Sequence, residues 1–294
     1  MTSQHAIGDG LSQRMQALWG VAPQRWRALQ GGSIAQVYYL QFSAQATPAH
    51  GRSEVVVKLG EGDFVLEATM LAYLRQHSRL PVPQVLHSQQ DMLVLEYLPG
   101  QASLSPAAER HAAELFADLH QRSAEAYGFA HDTLIGSLRQ PNPRSQHWGD
   151  FFSTQRLRHF ATLAYDRGHL PQTLRQRVEK VAAAIDVYLD EPPRPALIHG
   201  DVWQGNLLSD GQQLTAVLDP ALYYADAEVE LAYMRLFNTF GEAFFRRYYA
   251  LRPPRPGEAR RCLLYQLYPL LVHTYYFGSS YPTLIAAKLE QLGV

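Results

Sequence analysis

Hydrophobic positions in the first hundred residues follow two different spacings. Leu11, Met15 and Leu18 recur at helical spacing, whereas the segments QVYYL and VVVKL are rich in the β-branched and aromatic residues that favour strands. Asp63 precedes another helical pattern and is a suitable N-cap. The predicted elements, in chain order, are a helix over 9–20, strands within 29–42 and 54–60, a helix over 63–77, and two strands within 82–100.

The pattern becomes mainly helical after residue 104. Ser105-Pro106 is a typical helix start, and Ala112, Leu115 and Phe116 lie on one face of the helix that follows. Further helices are predicted at about 148–165, 172–190, 229–250 and 257–275, with a hairpin of two strands within 207–219. The order of these helices and strands along the chain predicts an α+β fold with two lobes and a cleft between them. The first lobe, over 1–98, is β-rich with one main helix, and the second, over 99–294, is mostly helical.

Composition narrows the class of protein. Among 294 residues, 47% are hydrophobic and 18% are charged, which indicates a well-packed globular chain. The net charge of −1 gives no general attraction to nucleic acid or anionic lipid, and no apolar run is long enough to span a membrane. The single cysteine, Cys262, excludes an internal disulfide. Without a recognisable secretion signal, we expect a soluble, cytoplasmic protein that binds neither nucleic acid nor membrane.

The segment LIHGDVWQGNLL, residues 197–208, carries the strongest chemical signal. Asp201 and Asn206 reproduce the Asp-x4-Asn spacing of the kinase catalytic loop. Phosphoryl transfer to a hydroxyl needs a group that accepts the hydroxyl proton and a metal ion that neutralises phosphate charge, and these two residues could serve both needs. An ordinary polar loop between strands remains the alternative, since Asp and Asn are common in turns.

The following hairpin is expected to add a second metal ligand. Ser209-Asp210-Gly211 is a turn signal between two short apolar runs. Because a hairpin returns the chain to its starting point, Asp219 should lie close to Asn206. Two oxygen ligands completed by phosphates and waters suit Mg²⁺. Taken alone, Asp219 could equally be a structural turn residue before Pro220.

Residues near the N-terminus supply candidates for phosphate binding. Gly31-Gly32-Ser33 could bring backbone N–H groups against phosphate oxygens, although glycine pairs also occur in bulges. Lys58 lies inside an apolar strand and needs a counter-charge, for which Glu67 is the candidate. The alternative is a surface lysine and an unrelated exposed carboxylate.

At this point the chain resembles a known family. The segments GGSIAQVYYL, VVVKL, LVLEYL, LIHGDVWQGNLL and DPALYYADAEVELA are similar to those of the fructosamine/ketosamine-3-kinases, relatives of the aminoglycoside phosphotransferases with a protein-kinase-like fold. The combination of HGD-x-W-x-x-N with DPA-x-YY is the most specific part. The resemblance spans nearly the whole chain.

The resemblance implies roles for individual residues. Asp201 would be the catalytic base, and Asn206 and Asp219 the Mg²⁺ ligands. Lys58 and Glu67 would position the phosphates of ATP. The backbone of Glu96, Tyr97 and Leu98 would form the adenine-binding hinge. DPA replaces the Asp-Phe-Gly of protein kinases, and only about ten residues separate Asp219 from the next predicted helix, which disfavours a peptide-docking protein kinase.

The acceptor side is the least determined from sequence. Trp203 follows the expected base by two residues, and we expect it to stack on or shape the acceptor site, with packing in the core as the alternative. Trp148 and Asp226 are further acceptor-side candidates. Glu230 is expected to hold the backbone of the catalytic loop from a helix, and His120 and His273 are expected to be packing histidines.

The expected activity is ATP-dependent phosphorylation of the 3-hydroxyl of a ketosamine, leading to deglycation of amines or proteins. The expected partners are therefore ketosamine small molecules or glycated proteins, and the chain is expected to be a monomer. Two alternatives stay open: a phosphotransferase for an aminoglycoside, choline or homoserine, and a pseudokinase that binds ATP without catalysis.

Overall fold

A computed structural model describes residues 2–29, 35–43, 48, 51–192 and 194–294. The chain divides into two compact units. The first comprises Met1–Gln76 and Val82–Pro99, and the second comprises His77–Pro81 and Gly100–Val294. Sheet dominates the first unit and helices dominate the second, as the predicted α+β class requires.

The described residues of the first unit form a five-stranded antiparallel sheet and two helices. Its strand order is β1-β2-β3-β5-β4, with β3 in the centre. The elements are α1 (Thr2–Trp19), β1 (Arg25–Ala28), β2 (Gln36–Gln41), β3 (Glu54–Leu59), α2 (Phe64–His77), β4 (Val85–Gln89) and β5 (Met92–Glu96).

The two faces of β3 have different neighbours because side chains alternate along a strand. Val55 and Val57 are fully buried in the core cluster that also holds Leu11 and Met15 of α1. Lys58 lies between Val57 and Leu59, and its ammonium group contacts Glu67 of α2. The predicted cap also forms, because Asp63 Oδ1 accepts a hydrogen bond from Leu66 N–H at 3.1 Å.

The second unit contains eight helices among the residues that the structure describes. The longer ones are α3 (Pro106–Leu119), α5 (His159–Asp166), α6 (Gln172–Ala183), α7 (Ala227–Leu236), α8 (Glu242–Leu251), α9 (Glu258–Phe277) and α10 (Tyr281–Gln291), and α4 (Trp148–Phe151) runs through a π-helical segment, Phe152–Arg158, into α5. Three antiparallel strand pairs complete the unit: β6 (Thr133–Ile135) with β7 (Leu138–Gln140), β8 (Ala196–Ile198) with β11 (Tyr223–Ala225), and β9 (Leu207–Ser209) with β10 (Leu214–Val217).

Several predicted elements differ from the observed ones. The helix predicted over 229–250 is two helices, α7 and α8, separated by a turn that ends at Gly241. Strand β2 lies within the predicted stretch 29–42 and confirms it, whereas β1, which precedes β2, was not predicted. The pairs β6–β7 and β8–β11 were not predicted, because three residues are too few to show a period. Among the described residues, no helix is both long and apolar enough to cross a membrane.

Candidate active site

The segment His199–Asn206, here called the HGD loop, connects β8 to β9 and requires glycine at its second position. Gly200 has a φ of +90°, and a Cβ there would lie 2.2 Å from the carbonyl oxygen of Ala221. No side chain fits this position without moving the backbone. The close approach arises because Tyr223 pairs with Ile198 in the β8–β11 ladder, which brings the two connecting segments together.

Asp201 is half-buried, and both of its carboxylate oxygens accept hydrogen bonds. Oδ1 accepts from the Tyr233 hydroxyl, and Oδ2 accepts from Asn206 Nδ2 at 3.1 Å. Asn206 Nδ2 also donates to the carbonyl oxygen of Asp201 at 3.0 Å, which holds the two residues in one orientation. Each carboxylate oxygen keeps a second lone pair, so Asp201 is oriented without being saturated.

The surroundings of Asp201 make its carboxylate more basic than usual. Burial raises the pKa of Asp201 to about 7; the negative charges of Asp219 and Glu230 add to the rise, and the hydrogen bonds from Tyr233 and Asn206 oppose it. A carboxylate with a pKa near neutrality is suited to accept a proton under ordinary conditions. The neighbouring His199 is buried, and burial lowers its pKa, so that the imidazole stays neutral and cannot offset this negative charge.

The HGD loop is held by α7 and the turn that follows it. Glu230 Oε1 accepts a hydrogen bond from Gly200 N–H at 2.6 Å, which confirms the predicted anchoring role. Tyr233, one helical turn later, donates to Asp201, and Thr239 Oγ1 donates to the carbonyl oxygen of Val202 at 2.9 Å. Three consecutive loop residues are thereby positioned by α7 and the turn that follows it.

Glu230 is supported in turn by a buried histidine. Glu230 Oε2 lies 2.8 Å from His120 Nε2, and His120 Nδ1 lies 2.7 Å from the Tyr248 hydroxyl. All three side chains are almost completely buried. A buried carboxylate needs such partners, because an unpaired one would be costly. His120 is the satisfied packing histidine that the sequence suggested.

Tyr233 was missed from sequence. Its signal was present, because it stands three residues after Glu230 on the same helix, and residues at this spacing share a face. A helix already expected to hold the loop through Glu230 would therefore present Tyr233 to the same loop. Burial and the adjoining Asp201 keep the pKa of Tyr233 well above its usual value, so the hydroxyl remains a donor.

The hairpin brings Asp219 back to Asn206, as predicted. Strands β9 and β10 are antiparallel, and Leu218 N–H donates to the carbonyl oxygen of Asn206 at 2.9 Å. Asp219 follows with a φ of +53°, a left-handed conformation that is uncommon outside glycine. Such conformations cluster at functional sites.

Trp203 lies over the backbone of its own loop. A Cβ at Gly205 would come within 2.2 Å of the indole ring, so that the glycine makes room for the ring. The side chain remains 46% exposed, which contradicts the alternative of a core residue. Trp203 therefore presents an aromatic surface two residues after Asp201.

The structure corrects two of the acceptor-side candidates. Trp148 is fully buried, and its indole N–H donates to the Tyr265 hydroxyl at 2.8 Å. Asp226 is also buried; it caps α7 by accepting from Glu228 N–H and pairs with Arg255. Because Ala225 pairs with Ala196, Asp226 lies at the end of the β8–β11 ladder remote from Asp201. Both residues have structural roles, which local sequence did not reveal.

The first unit contains the predicted lysine–glutamate pair. Lys58 Nζ lies 2.7 Å from Glu67 Oε1, and both side chains are largely buried. Glu96 is held by an ion pair with Arg52 at 2.6 Å, and Tyr97 packs edge-on against Tyr39. Among the described residues, none hydrogen-bonds to the backbone of Leu98. The remaining phosphate-site candidates, Gly31, Gly32 and Ser33, lie outside the described residues.

The raised pKa of Asp201 predicts a pH-dependent effect on stability. The carboxyl favours the protonated form in the folded state, so its contribution is present below about pH 4 and is lost as the pH rises through about 7. Asn at this position has no proton to lose and stays uncharged as the pH rises. The free energy of unfolding of Asp201→Asn, measured relative to the wild type, should therefore rise by about 1–3 kcal/mol between pH 4 and pH 8.

Thermal unfolding of both proteins across this pH range, without divalent cations, measures the difference. The control is Asp210→Asn, because turn N–H groups lower the pKa of the exposed Asp210. This variant should show no increase in stability relative to the wild type as the pH rises. A pH-independent difference between Asp201→Asn and the wild type would contradict the expected burial cost.

The fold and the two sets of residues define a kinase-type phosphotransferase, with a lysine–glutamate pair in a sheet-rich unit and an Asp-x4-Asn loop in a helical one. A model of the fructosamine kinase family matches residues 7–293. The chain belongs to the fructosamine kinase family.

Individual relatives agree with this assignment. A probable ketoamine kinase from Synechocystis sp. is 35% identical over 280 residues, covering 91% of this chain and 90% of that protein. A crystal structure from Thermobifida fusca, named as a fructosamine-3-kinase, has a TM-score of 0.84 at 29% identity and covers 97% of this chain and 98% of that one. The aminoglycoside phosphotransferase APH(4)-Ia, at 15% identity, has a TM-score of 0.69, covers 96% of this chain and 97% of its own, and shares the fold.

Proposed function

We propose that this kinase transfers the γ-phosphoryl group of ATP to the 3-hydroxyl of ketosamines. The observation that carries the proposal is the oriented, basic carboxylate of Asp201 within a loop of the fructosamine kinase family. The relatives are named for ketoamine and fructosamine substrates, which supports the same substrate class here.

Asp201 would act as the general base. A free lone pair of its carboxylate accepts the proton of the acceptor hydroxyl while the hydroxyl oxygen bonds to the γ-phosphorus. The bond between that phosphorus and the β–γ bridging oxygen breaks, and ADP leaves. Tyr233 and Asn206 hold the carboxylate in place during this exchange.

Asn206 and Asp219 fit a magnesium site. Both Nδ2 hydrogens of Asn206 point toward Asp201, which leaves Oδ1 as the atom available to a cation. The carboxylate of Asp219 would be the second ligand, and its charge already raises the pKa of Asp201, an imbalance that a cation would relieve. Mg²⁺ bound there would neutralise charge on the β- and γ-phosphates. Few protein ligands are expected for an ion that keeps waters and phosphates.

The first unit would bind the nucleotide. Lys58, kept in place by Glu67, would contact phosphate oxygens. The backbone N–H of Leu98, which no described residue accepts, would pair with adenine, alongside the backbone of Glu96 and Tyr97. Gly31, Gly32 and Ser33 would cover the phosphates.

Trp203 would bind the acceptor through its exposed ring face. Replacing it by Ala should raise KM for the ketosamine roughly 5–10-fold with little change in KM for ATP, because one aromatic contact contributes on the order of 1 kcal/mol. Steady-state kinetics with each substrate varied in turn measures the two KM values separately. Val187→Ala, at an exposed position, is the control. An unchanged KM for the acceptor in Trp203→Ala would remove Trp203 from the acceptor site.

Phosphorylation would lead to deglycation of the substrate. A phosphate at C3 lies next to the C2 ketone of a ketosamine and is a good leaving group. Loss of a C1 proton and of the phosphate would leave an imine at C1, and hydrolysis of this imine by water would free the amine. The enzyme would therefore act as a repair factor for glycated small molecules or glycated proteins.

ADP release with Mg-ATP tests the proposal. Ribulosyl-lysine, a glycated protein and an aminoglycoside serve as three acceptors, with Asp201→Asn as the blank. Turnover on ribulosyl-lysine that is lost in the variant supports the ketosamine kinase. Turnover on the aminoglycoside alone would support the phosphotransferase activity but contradict the proposed ketosamine substrate. The glycated-protein arm decides whether large acceptors enter.

A further inference from the structure

The second unit contains a cavity that the proposed reaction does not use. It has a volume of about 290 Å³ and is lined by residues before β8, by the start of α7 and by the segment from the end of α8 to α9. Asp226 is in its wall, at the end of the β8–β11 ladder remote from Asp201. The volume is close to the lower end of the range for small-molecule sites.

Two of the three acidic groups in the cavity wall are paired with arginines. Glu228 is bound by Arg261 at 2.7 Å and by Arg255 at 2.8 Å. Asp226 pairs with the same Arg255 and accepts a hydrogen bond from Tyr265 at 2.7 Å. The third acid, Glu258, accepts from the Tyr249 hydroxyl.

Two arginines in the same wall are not neutralised. Among the described residues, none offers Arg194 or Arg252 a carboxylate within ion-pair distance. Since Asp226 and Glu228 have arginine partners, the two positive charges of Arg194 and Arg252 stand against the single negative charge of Glu258, and the net charge left to face a ligand is positive. Guanidinium groups bind carboxylate and phosphate oxygens through paired N–H donors.

The remaining wall is apolar. Leu231, Tyr248 and Tyr249 line the cavity together with prolines from both sides. A ligand would therefore match the site best if it carried one anionic group and a compact apolar body.

A chain of buried hydrogen bonds joins this wall to the HGD loop. Arg252 follows Tyr248 by one helical turn, and its N–H donates to the carbonyl oxygen of Tyr248 at 2.8 Å. Burial raises the pKa of Tyr248, and the positive charge of Arg252 opposes the rise. From Tyr248 the chain continues through His120 and Glu230 to Gly200 N–H, with distances of 2.7, 2.8 and 2.6 Å. A group bound to Arg252 would thus act on the partner set that positions Asp201.

We propose that this cavity binds a small organic anion with an apolar body, such as an aromatic carboxylate or phosphate ester, and that binding steadies the HGD loop. The binding part is independent of the proposed substrate. Its test therefore uses readouts other than activity.

Titration calorimetry measures binding in the full chain with saturating ADP, so that the nucleotide site is filled. Benzoate and phenyl phosphate are the anionic probes, and benzamide is the neutral probe of the same shape. We expect both anions to bind and benzamide to bind at least about 10-fold more weakly, as expected for a charge-assisted contact. Comparing the two anions distinguishes a carboxylate ligand from a phosphate ester.

Variants separate this cavity from other sites. Arg252→Gln should weaken benzoate binding at least about 10-fold, whereas Arg252→Lys should keep part of it. Ala227→Leu, which fills the cavity without changing charge, should also abolish binding. Arg246→Gln is the control, because Arg246 is exposed and pairs with Glu242 outside the cavity. The site would be overturned if benzoate bound Arg252→Gln and Ala227→Leu as tightly as the wild type, if benzamide bound the wild type as tightly as benzoate, or if neither anion bound.

Hydrogen exchange tests the link to the loop. Benzoate should slow amide exchange in residues 199–206 of the wild type and leave it unchanged in Arg252→Gln. Unchanged exchange in the wild type at saturating benzoate would overturn the coupling.

Discussion

Asp201→Asn should lower the rate of phosphoryl transfer by about 10²–10⁴-fold, the usual contribution of a general base. Asn has nearly the shape of Asp, and it can keep hydrogen bonds with Tyr233 and Asn206 if its amide is oriented to match. It cannot accept the acceptor proton. The loss should therefore appear in kcat, with KM for ATP changed little, and single-turnover ADP release measures it.

Asp210→Asn is the matched control for this variant. Asp210 lies in the β9–β10 turn, where its Oδ1 accepts from Gln212 N–H and Gln213 N–H, and its side chain is exposed. It carries the same chemical change nine residues away, without a role in the loop, and should leave kcat unaltered. An Asp201→Asn enzyme with nearly full kcat would show that another group takes the proton.

Gly200→Ala should have the largest effect on stability. The new methyl group would lie 2.2 Å from the carbonyl oxygen of Ala221, and the backbone would have to leave the positive φ that the turn needs. Moving it would break the Glu230 hydrogen bond to Gly200 N–H. We expect a loss of more than about 4 kcal/mol in the free energy of unfolding, or roughly 8–16 °C in Tm.

Gly211→Ala isolates the conformational part of that loss. Gly211 has a φ of +91°, almost the same as Gly200, but a Cβ there meets nothing within 4 Å. Its substitution should cost only about 1–2 kcal/mol, the strain of a left-handed alanine. Thermal unfolding of the two variants side by side gives the cost of the clash as their difference. Equal losses would mean that the β8–β11 contact yields easily.

Both predictions concern the HGD loop, whose reactive residues are close together in the sequence, whereas the residues that hold the loop in place are distant in the sequence. The spacing of Asp201 and Asn206, the hairpin signal and the apolar strand around Lys58 are all local patterns, and they predicted the return of Asp219 to Asn206 and the pair with Glu67. Long amphipathic segments likewise predicted most helices and the sheet-rich first unit.

The same local patterns failed where packing decides. Trp148 and Asp226 stand next to segments typical of the family, yet both are buried in the second unit with structural partners. Nothing in their own neighbourhoods distinguishes an exposed aromatic or carboxylate from a buried one. Trp203, by contrast, stays exposed because its ring rests on Gly205.

By itself, therefore, the sequence determined the α+β class and the family, and it singled out the residues proposed to accept the proton and to hold the metal, because these depend on short spacings and turn chemistry. Only the tertiary structure decided how the base is held. Tyr233 reaches Asp201 across 32 positions, and His120 reaches Glu230 across 110. Such contacts depend on how helices pack around a buried loop. Periodicity places Tyr233 on the same helix face as Glu230, but it does not say which distant residue that face contacts.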